Sequence, residues 1–338
     1  MTVQVSNRLE MLWAKGKAFL GCDYAILGGG MSWVSEHNLV AAISNAGGFG
    51  VLACGGMNPA QLADEIHKTQ EKTSKPFGVN LITMHPELVQ LIDVCKSANV
   101  SHVVLAGGLP SAASIRQVKD YGAKAICFAP ALVLAKRLLR AGADALVIEG
   151  SEAGGHVGPV ATSVLVQEIL PHVSDIPVFV AGGIGRGEAI ASYLEMGAAG
   201  CQLGTRFVCA EESIAHPNFK QAFIKANARD AITTVQMDPS LNVIPVRALT
   251  NEGTRLFNEK QVELVAKVKA GAVSQADAQL EIEHFWVGAL RRAVIDGDVD
   301  NGSLMAGQSV GMVKSIQPMA EIMQELVVQA NAALENRT

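Results

Sequence analysis

Eight times between Tyr24 and Phe207 the chain repeats one pattern: a short apolar run, a turn, and a longer stretch with apolar residues at helical spacing. The runs are YAILGG from Tyr24, FGVLACG from Phe49, PFGVNL from Pro76, HVVLAG from His102, AKAICFA from Ala123, ADALVIEG from Ala143, PVFVAGG from Pro177 and GCQLGTRF from Gly200. Strands separated by helices pair in parallel, because the crossover returns the chain to the same edge. Eight such units is the number at which a parallel sheet closes. The runs are nearly continuous in apolar character, as expected where helices cover one face and a packed interior the other. The expected fold is therefore α/β, a (β/α)8 TIM barrel.

The intervening segments carry helix signals. NPAQLADEIHKTQEKT opens with an Asn cap and Pro at the first helical position, and PELVQLIDVCKSANV opens with Pro86. After GTRFVCAEES the rhythm stops. Residues 214–298 hold helical patterns and one strand region around TTVQMDPSLNVIPVRAL, which predicts a small, mostly helical domain inserted or appended beyond a barrel of residues 1–213. Residues 299–338 end in the amphipathic SIQPMAEIMQELVVQANAALENRT, expected to pack back on the barrel as a terminal helix.

Composition excludes several classes. With 338 residues, 49% of them hydrophobic, the chain can bury a large core. Its apolar stretches are broken well before the roughly 20 residues of a membrane span. The N-terminus MTVQVSNRLEMLWAKGK lacks a signal peptide's apolar centre, so a cytoplasmic location is expected. A net charge of -5 gives no general attraction for nucleic acid. Cys22, Cys54, Cys95, Cys127, Cys201 and Cys209 never fall in a C-x-x-C spacing and are expected as buried free thiols. The histidines His37, His67, His85, His102, His172, His216 and His284 lack paired ligands in sequence, and no metal site is expected.

In a barrel the ligand loops follow the C-terminal strand ends, and here those ends are rich in glycine. VAGGIGRGEA leads from the seventh run into a helix whose N-terminus would favour an anion, and QLGT (Gln202 to Thr205) adds a bare amide and a hydroxyl from the next strand. Together they predict a phosphate site after strands seven and eight. No Walker A sequence or Rossmann fingerprint is present, which favours a phosphate-bearing cofactor held by a barrel, FMN being the commonest such flavin. Backbone in GGMSW could pass along a flat ring, and Asn80 could hydrogen-bond its polar edge. In GSEAGGHVG one imidazole, His156, stands among glycines at a strand end, where it could donate or accept a proton or polarise a carbonyl.

GGMSWVSEHNLVAAISNAGGFG, KPFGVNL, EGSEAGGHVG, PVFVAGGI, QLGTRFVCAEESIAHPNFK and DGDVDNGSLMAGQSVG resemble, in order and over most of the chain, the FMN-dependent barrel family of nitronate monooxygenases (2-nitropropane dioxygenases) and type II enoyl-acyl-carrier-protein reductases. The resemblance implies FMN, with its phosphate near Gly182, Gly183, Gly204 and Thr205 and its ring near Gly30, Met31, Asn80 and His156. Ser32, Glu149, Gly155, Ala181, Gln202, Met305, Gly307 and Gln308 complete the implied cofactor-binding set. Glu149 resembles the reductases, since the monooxygenases usually carry glutamine there, and GGMSWV and DGDVDNGSLMAGQ lean the same way. The first strand departs from the family: relatives usually show proline at the position of Ala25 and glutamine at that of Gly28.

The leading expectation is NADH- or NADPH-dependent reduction of a trans-2-enoyl thioester on an acyl-carrier protein, with His156 catalytic. Oxidation of small-molecule nitronates with oxygen is the alternative, and a flavin-binding barrel without turnover the third. The basic clusters Lys136, Arg137, Arg140 and Arg291, Arg292 are candidate docks for an acidic carrier, though either could be an ordinary solvated face. A homodimer is compatible with all three.

Overall fold

The structure is a computed structural model that describes residues 5–241 and 243–336. The strands are β1 (Ile26–Gly28), β2 (Gly50–Ala53), β3 (Phe77–Ile82), β4 (His102–Ala106), β5 (Lys124–Phe128), β6 (Ala145–Glu149), β7 (Gly155–His156), β8 (Val178–Ala181), β9 (Gly200–Leu203), β10 (Ala231–Thr233), β11 (Val246–Leu249) and β12 (Leu304–Met305). The helices are α1 (Asn7–Leu20), α2 (His37–Asn45), α3 (Pro59–Lys72), α4 (Leu88–Ser97), α5 (Ala112–Asp120), α6 (Leu132–Ala141), α7 (Thr162–Ile169), α8 (Gly187–Glu195), α9 (Pro217–Lys225), α10 (Glu252–Lys269), α11 (Gln275–Val294) and α12 (Met319–Glu335).

All eight expected runs form one parallel sheet in the order β1-β9-β8-β6-β5-β4-β3-β2. A parallel bridge between Leu27 and Phe49 brings its two ends together, so the TIM barrel is present. Alternation within each strand builds the two cores. Val104, Val147 and Phe179 point into the barrel, while Val103, Leu105, Leu146, Ile148, Val178 and Val180 pack outward under the helices. α1 precedes the first strand and lies outside the repeating pattern. It packs Phe19 and Leu20 against the interior cluster, and Phe19 O accepts a hydrogen bond from buried His102 Nε2 at 2.9 Å. The N-terminal end of the barrel is thereby plugged, which leaves the other end for chemistry.

The region after β9 is mostly helical but not wholly so. Antiparallel β10 and β11 join β12 and β7 in a second sheet. Its own core forms around Phe257, Leu264, Ile282 and Trp286 on α10 and α11, with the rings of Phe257 and Trp286 4.1 Å apart. α12 lies against the barrel, burying Ile322, Met323, Leu326 and Val327. All six cysteines are free; five are buried, and Cys22 is half-buried. Among the described residues no helix is long and apolar enough to cross a membrane.

Candidate active site

A cavity of about 350 Å³ opens at the C-terminal ends of the barrel strands. Of the sequence-predicted site residues it brings together Gly30, Met31, Ser32, Asn80, Glu149, Gly155, His156, Ala181, Gly182, Gly183, Gln202, Gly204, Thr205, Met305 and Gly307. Gln308 is not part of the wall; its N–H donates to Glu152 O at 2.9 Å, and the lining passes to Ser309.

One wall is nearly devoid of side chains. A Cβ on Gly30 would lie 2.7 Å from Asn80 Cβ, so only glycine lets the first loop run past that amide. Gly182 and Gly183 have φ of +98° and +72°, a region L side chains rarely adopt. Outside the strand ladders no backbone hydrogen bond from Gly183 or Ile184 N–H is found among the described residues, which leaves successive N–H groups at the cavity edge, the arrangement that binds anions. Thr205 Oγ1 accepts from Gly307 N–H at 2.9 Å, and its own proton finds no acceptor among the described residues.

The expectation that a helix N-terminus completes this anion site needs correction. Gly187, the first residue of α8, donates its N–H to Gln329 Oε1 at 2.8 Å, and a Cβ there would sit 2.0 Å from Leu326 O. The start of α8 is packed beneath the terminal helix α12, and the loop amides ahead of it face the cavity instead.

Three polar side chains point into the cavity from strands: Asn80 from β3, Glu149 at the end of β6 and Gln202 from β9. None has a side-chain hydrogen bond among the described residues, although Asn80 and Gln202 are only 8% and 7% exposed. Unpaired polar groups at such depth are costly unless a ligand completes them. Glu149 lies deep in the protein and keeps some accessibility because it faces the cavity; burial pushes its carboxyl up to about 7. Among the described residues no lysine or arginine lines the cavity.

His156 lines the same cavity, held in a way the sequence did not suggest. Gly155 and His156 form the short strand β7, which pairs with Val246 and Arg247 of β11. Arg247, 9% exposed, donates from Nε to Ser151 O at 2.9 Å and from Nη1 to Ala231 O, stitching the histidine loop to the second sheet. His156 Nε2 lies 3.2 Å from Glu283 Oε2 on α11, and the same helix sends Leu290 into the cavity wall. A lone arginine inside the apolar VIPVRAL was the available signal for Arg247; nothing in the sequence points to Glu283.

Among the other histidines, His37 departs from expectation. Its Nδ1 lies 3.0 Å from Glu36 Oε2 and 2.9 Å from Glu65 Oε2, so it does have paired carboxylates, although Glu36 is engaged in capping α2. His216 caps α9, its Nδ1 accepting from Asn218 N–H at 3.1 Å. At the first strand, Ile43 fills the space a family glutamine would need: a Cβ on Gly28 would lie 2.6 Å from Ile43 Cδ1.

A family model described as nitronate monooxygenase matches residues 15–97 and 87–329. The chain belongs to the nitronate monooxygenase family. It is accordingly an oxidoreductase, of a flavin-dependent kind. Among solved structures it is similar to FabK from Thermotoga maritima, with 37% identity, a TM-score of 0.85 and 99% of each chain covered. Among curated proteins it is 30% identical to a 5-hydroxy-7a-methyl-1-oxo-octahydro-1H-indene-4-carboxyl-CoA dehydrogenase of Rhodococcus jostii (strain RHA1), over 92% of this chain and 94% of that one. It is 29% identical to a probable nitronate monooxygenase of Staphylococcus aureus (strain MSSA476), over 82% and 92% respectively.

The cavity fits a flavin mononucleotide. Loop amides and a hydroxyl suit a phosphate, and the unpaired amides of Asn80 and Gln202 suit the polar edge of a flat ring.

Proposed function

We propose that the chain reduces the carbon–carbon double bond of a 2-enoyl thioester carried on an acyl-carrier protein, using FMN and NADH or NADPH. The observation that carries this reading is Glu149. Its carboxyl, pushed up to about 7 by burial, lies in a cavity that no lysine or arginine lines among the described residues. A nitronate is an anion and would enter a site that offers a carboxyl and no cationic side chain among the described residues to pair with it. An enoyl thioester is neutral and meets no such opposition. Saturating its double bond also consumes a proton, and the site holds two groups able to move one, Glu149 and His156.

When bound, FMN supplies the hydride that reaches the substrate's β-carbon. Gly182, Gly183, Ile184 and Thr205 would hold its phosphate through N–H and O–H groups, and Asn80 and Gln202 its ring. His156, on the rim, would either deliver the proton to the α-carbon or hydrogen-bond the thioester carbonyl, with Glu283 orienting its imidazole from behind. Leu290 and Met305 would exclude water from above. The likeness to FabK over nearly the whole chain supports the same assignment.

Nitronate oxidation keeps its claim through the matching family and the Staphylococcus aureus relative. The purified flavoprotein decides between them under anaerobic conditions. Rapid bleaching by NADH or NADPH and reoxidation by a crotonyl thioester are expected; bleaching by a nitronate, with no response to nicotinamide, would overturn the reductase reading.

A further inference from the structure

We propose that the solvent face of α6, with a second cavity at its start, is the dock for an acidic acyl-carrier protein, the cavity admitting the pantetheine arm. This inference rests on the reductase reading. Val133, Lys136, Arg137 and Arg140 fall at i, i+3, i+4 and i+7, on one face of α6. All are exposed, Val133 to 75%. None of the three cations has a carboxylate partner among the described residues. Glu168, which approaches the start of α6, is turned to the backbone N–H of Leu132 at 3.4 Å.

In a chain of net charge -5 this is an unneutralised basic face with an apolar residue at its upper end. It spans about 10 Å of helix, a length that matches an acidic helix of a protein partner better than a nucleotide's clustered phosphates. The other basic cluster is less free: Arg291 pairs with Asp296 at 3.0 Å and lies over the Trp33 ring.

The cavity ties this face to the chemistry. It has a volume of about 200 Å³ and begins at Ala129 and Pro130, immediately before α6. It shares Phe128 and Glu149 with the larger cavity, and Leu109, 42% exposed, stands at its edge. A carrier seated on α6 would thus have its arm at a passage whose inner wall is the wall of the candidate active site.

The test uses the full-length, flavin-loaded enzyme and two crotonyl thioesters, one on an acyl-carrier protein and one on N-acetylcysteamine. In the K136E/R137E/R140E variant kcat/KM for the carrier substrate should fall tenfold or more, with the small thioester unchanged. The carrier rate of the wild type should fall with added salt more steeply than the variant's. Equal behaviour of the two substrates in the variant would overturn the dock, and so would an equal loss with crotonyl-coenzyme A. Wild-type failure on both thioesters would overturn the reductase reading itself. Gly158→Leu tests the passage, since a Cβ there meets no atom within 4 Å and the larger side chain narrows the second cavity. It should slow both thioesters and leave flavin reduction by NADH or NADPH unchanged; unchanged thioester turnover, or slowed flavin reduction, would overturn the assignment of the cavity.

Discussion

The two walls of the main cavity are built on opposite principles. Around Gly30, Gly182, Gly183 and Gly204 the barrel presents backbone and little else, fixed by strand ends that cannot move without disturbing the sheet. Around His156 the chain presents one titratable side chain on a short strand that belongs to the second sheet and leans on α11. In the proposed reaction, binding falls to rigid backbone and proton movement to a ring whose position depends on packing between the barrel and the region after it. Substitutions on the first wall should remove the cofactor; substitutions on the second should leave it bound and slow the chemistry.

The largest effect is expected from Gly182→Val. A Cβ there would lie 2.8 Å from Thr162 Oγ1 and 2.9 Å from Gly150 O, at a φ that strains any side chain. The protein should purify without flavin and without activity; a normal ratio of flavin to protein absorbance would show that this wall does not bind the cofactor. Next comes His156→Ala, for which thioester turnover should fall by about 10²- to 10⁴-fold, the usual contribution of a positioned acid or base. Its flavin absorbance should remain, and unchanged turnover would remove His156 from the reaction.

Glu149→Gln sharpens the comparison through pH. In the folded protein the carboxyl is raised from 4.5 to about 7, so the neutral form is favoured by folding. The stability this group confers is therefore greatest below about pH 4.5 and is lost as the pH rises through 7. Thermal denaturation of the flavin-free wild type should show that decline, and the glutamine variant should lack it. Parallel curves would mean that the carboxyl is not held neutral. Glu283→Gln should have the smallest effect, several-fold in kcat with KM little changed, because the pair is partly exposed and screened. Its readout is a shifted pH profile of kcat; a profile identical to the wild type would reduce Glu283 to a surface contact.

Much of this was legible in the sequence because a parallel barrel writes itself locally. Each strand is an apolar run, each helix follows at its own period, and GGMSW, AGGI and QLGT mark strand ends by glycine alone. The end of β6 was legible for the same reason. The helix start at Gly187 was misread as an anion site, since a sequence does not reveal that Gln329 will satisfy its N–H. Arg247 and Glu283 were missed because each acts on the His156 loop from a segment far along the chain. α1 was missed for a different reason: it precedes the first strand and lies outside the repeating pattern, although Ser6 and Gly21 cap it, and it buries Leu9 and Trp13 in the outer layer and Phe19 and Leu20 at the barrel's end.

The contact between Gly28 and Ile43 constrains how this first strand could be exchanged for that of its relatives. Introducing glutamine at Gly28 alone puts its Cβ where Ile43 Cδ1 now lies, so the end of the Ile43 side chain must turn aside, at a cost of up to about 1–3 kcal/mol if it finds no free space. Shortening Ile43 to alanine first leaves a hole costing roughly 2–5 kcal/mol. Ile43→Val removes little more than the obstructing methyl, at about 0.5–1.5 kcal/mol. The two positions are therefore coupled: glutamine at position 28 should cost less stability beside valine at position 43 than beside isoleucine, and the difference between the two backgrounds measures that coupling.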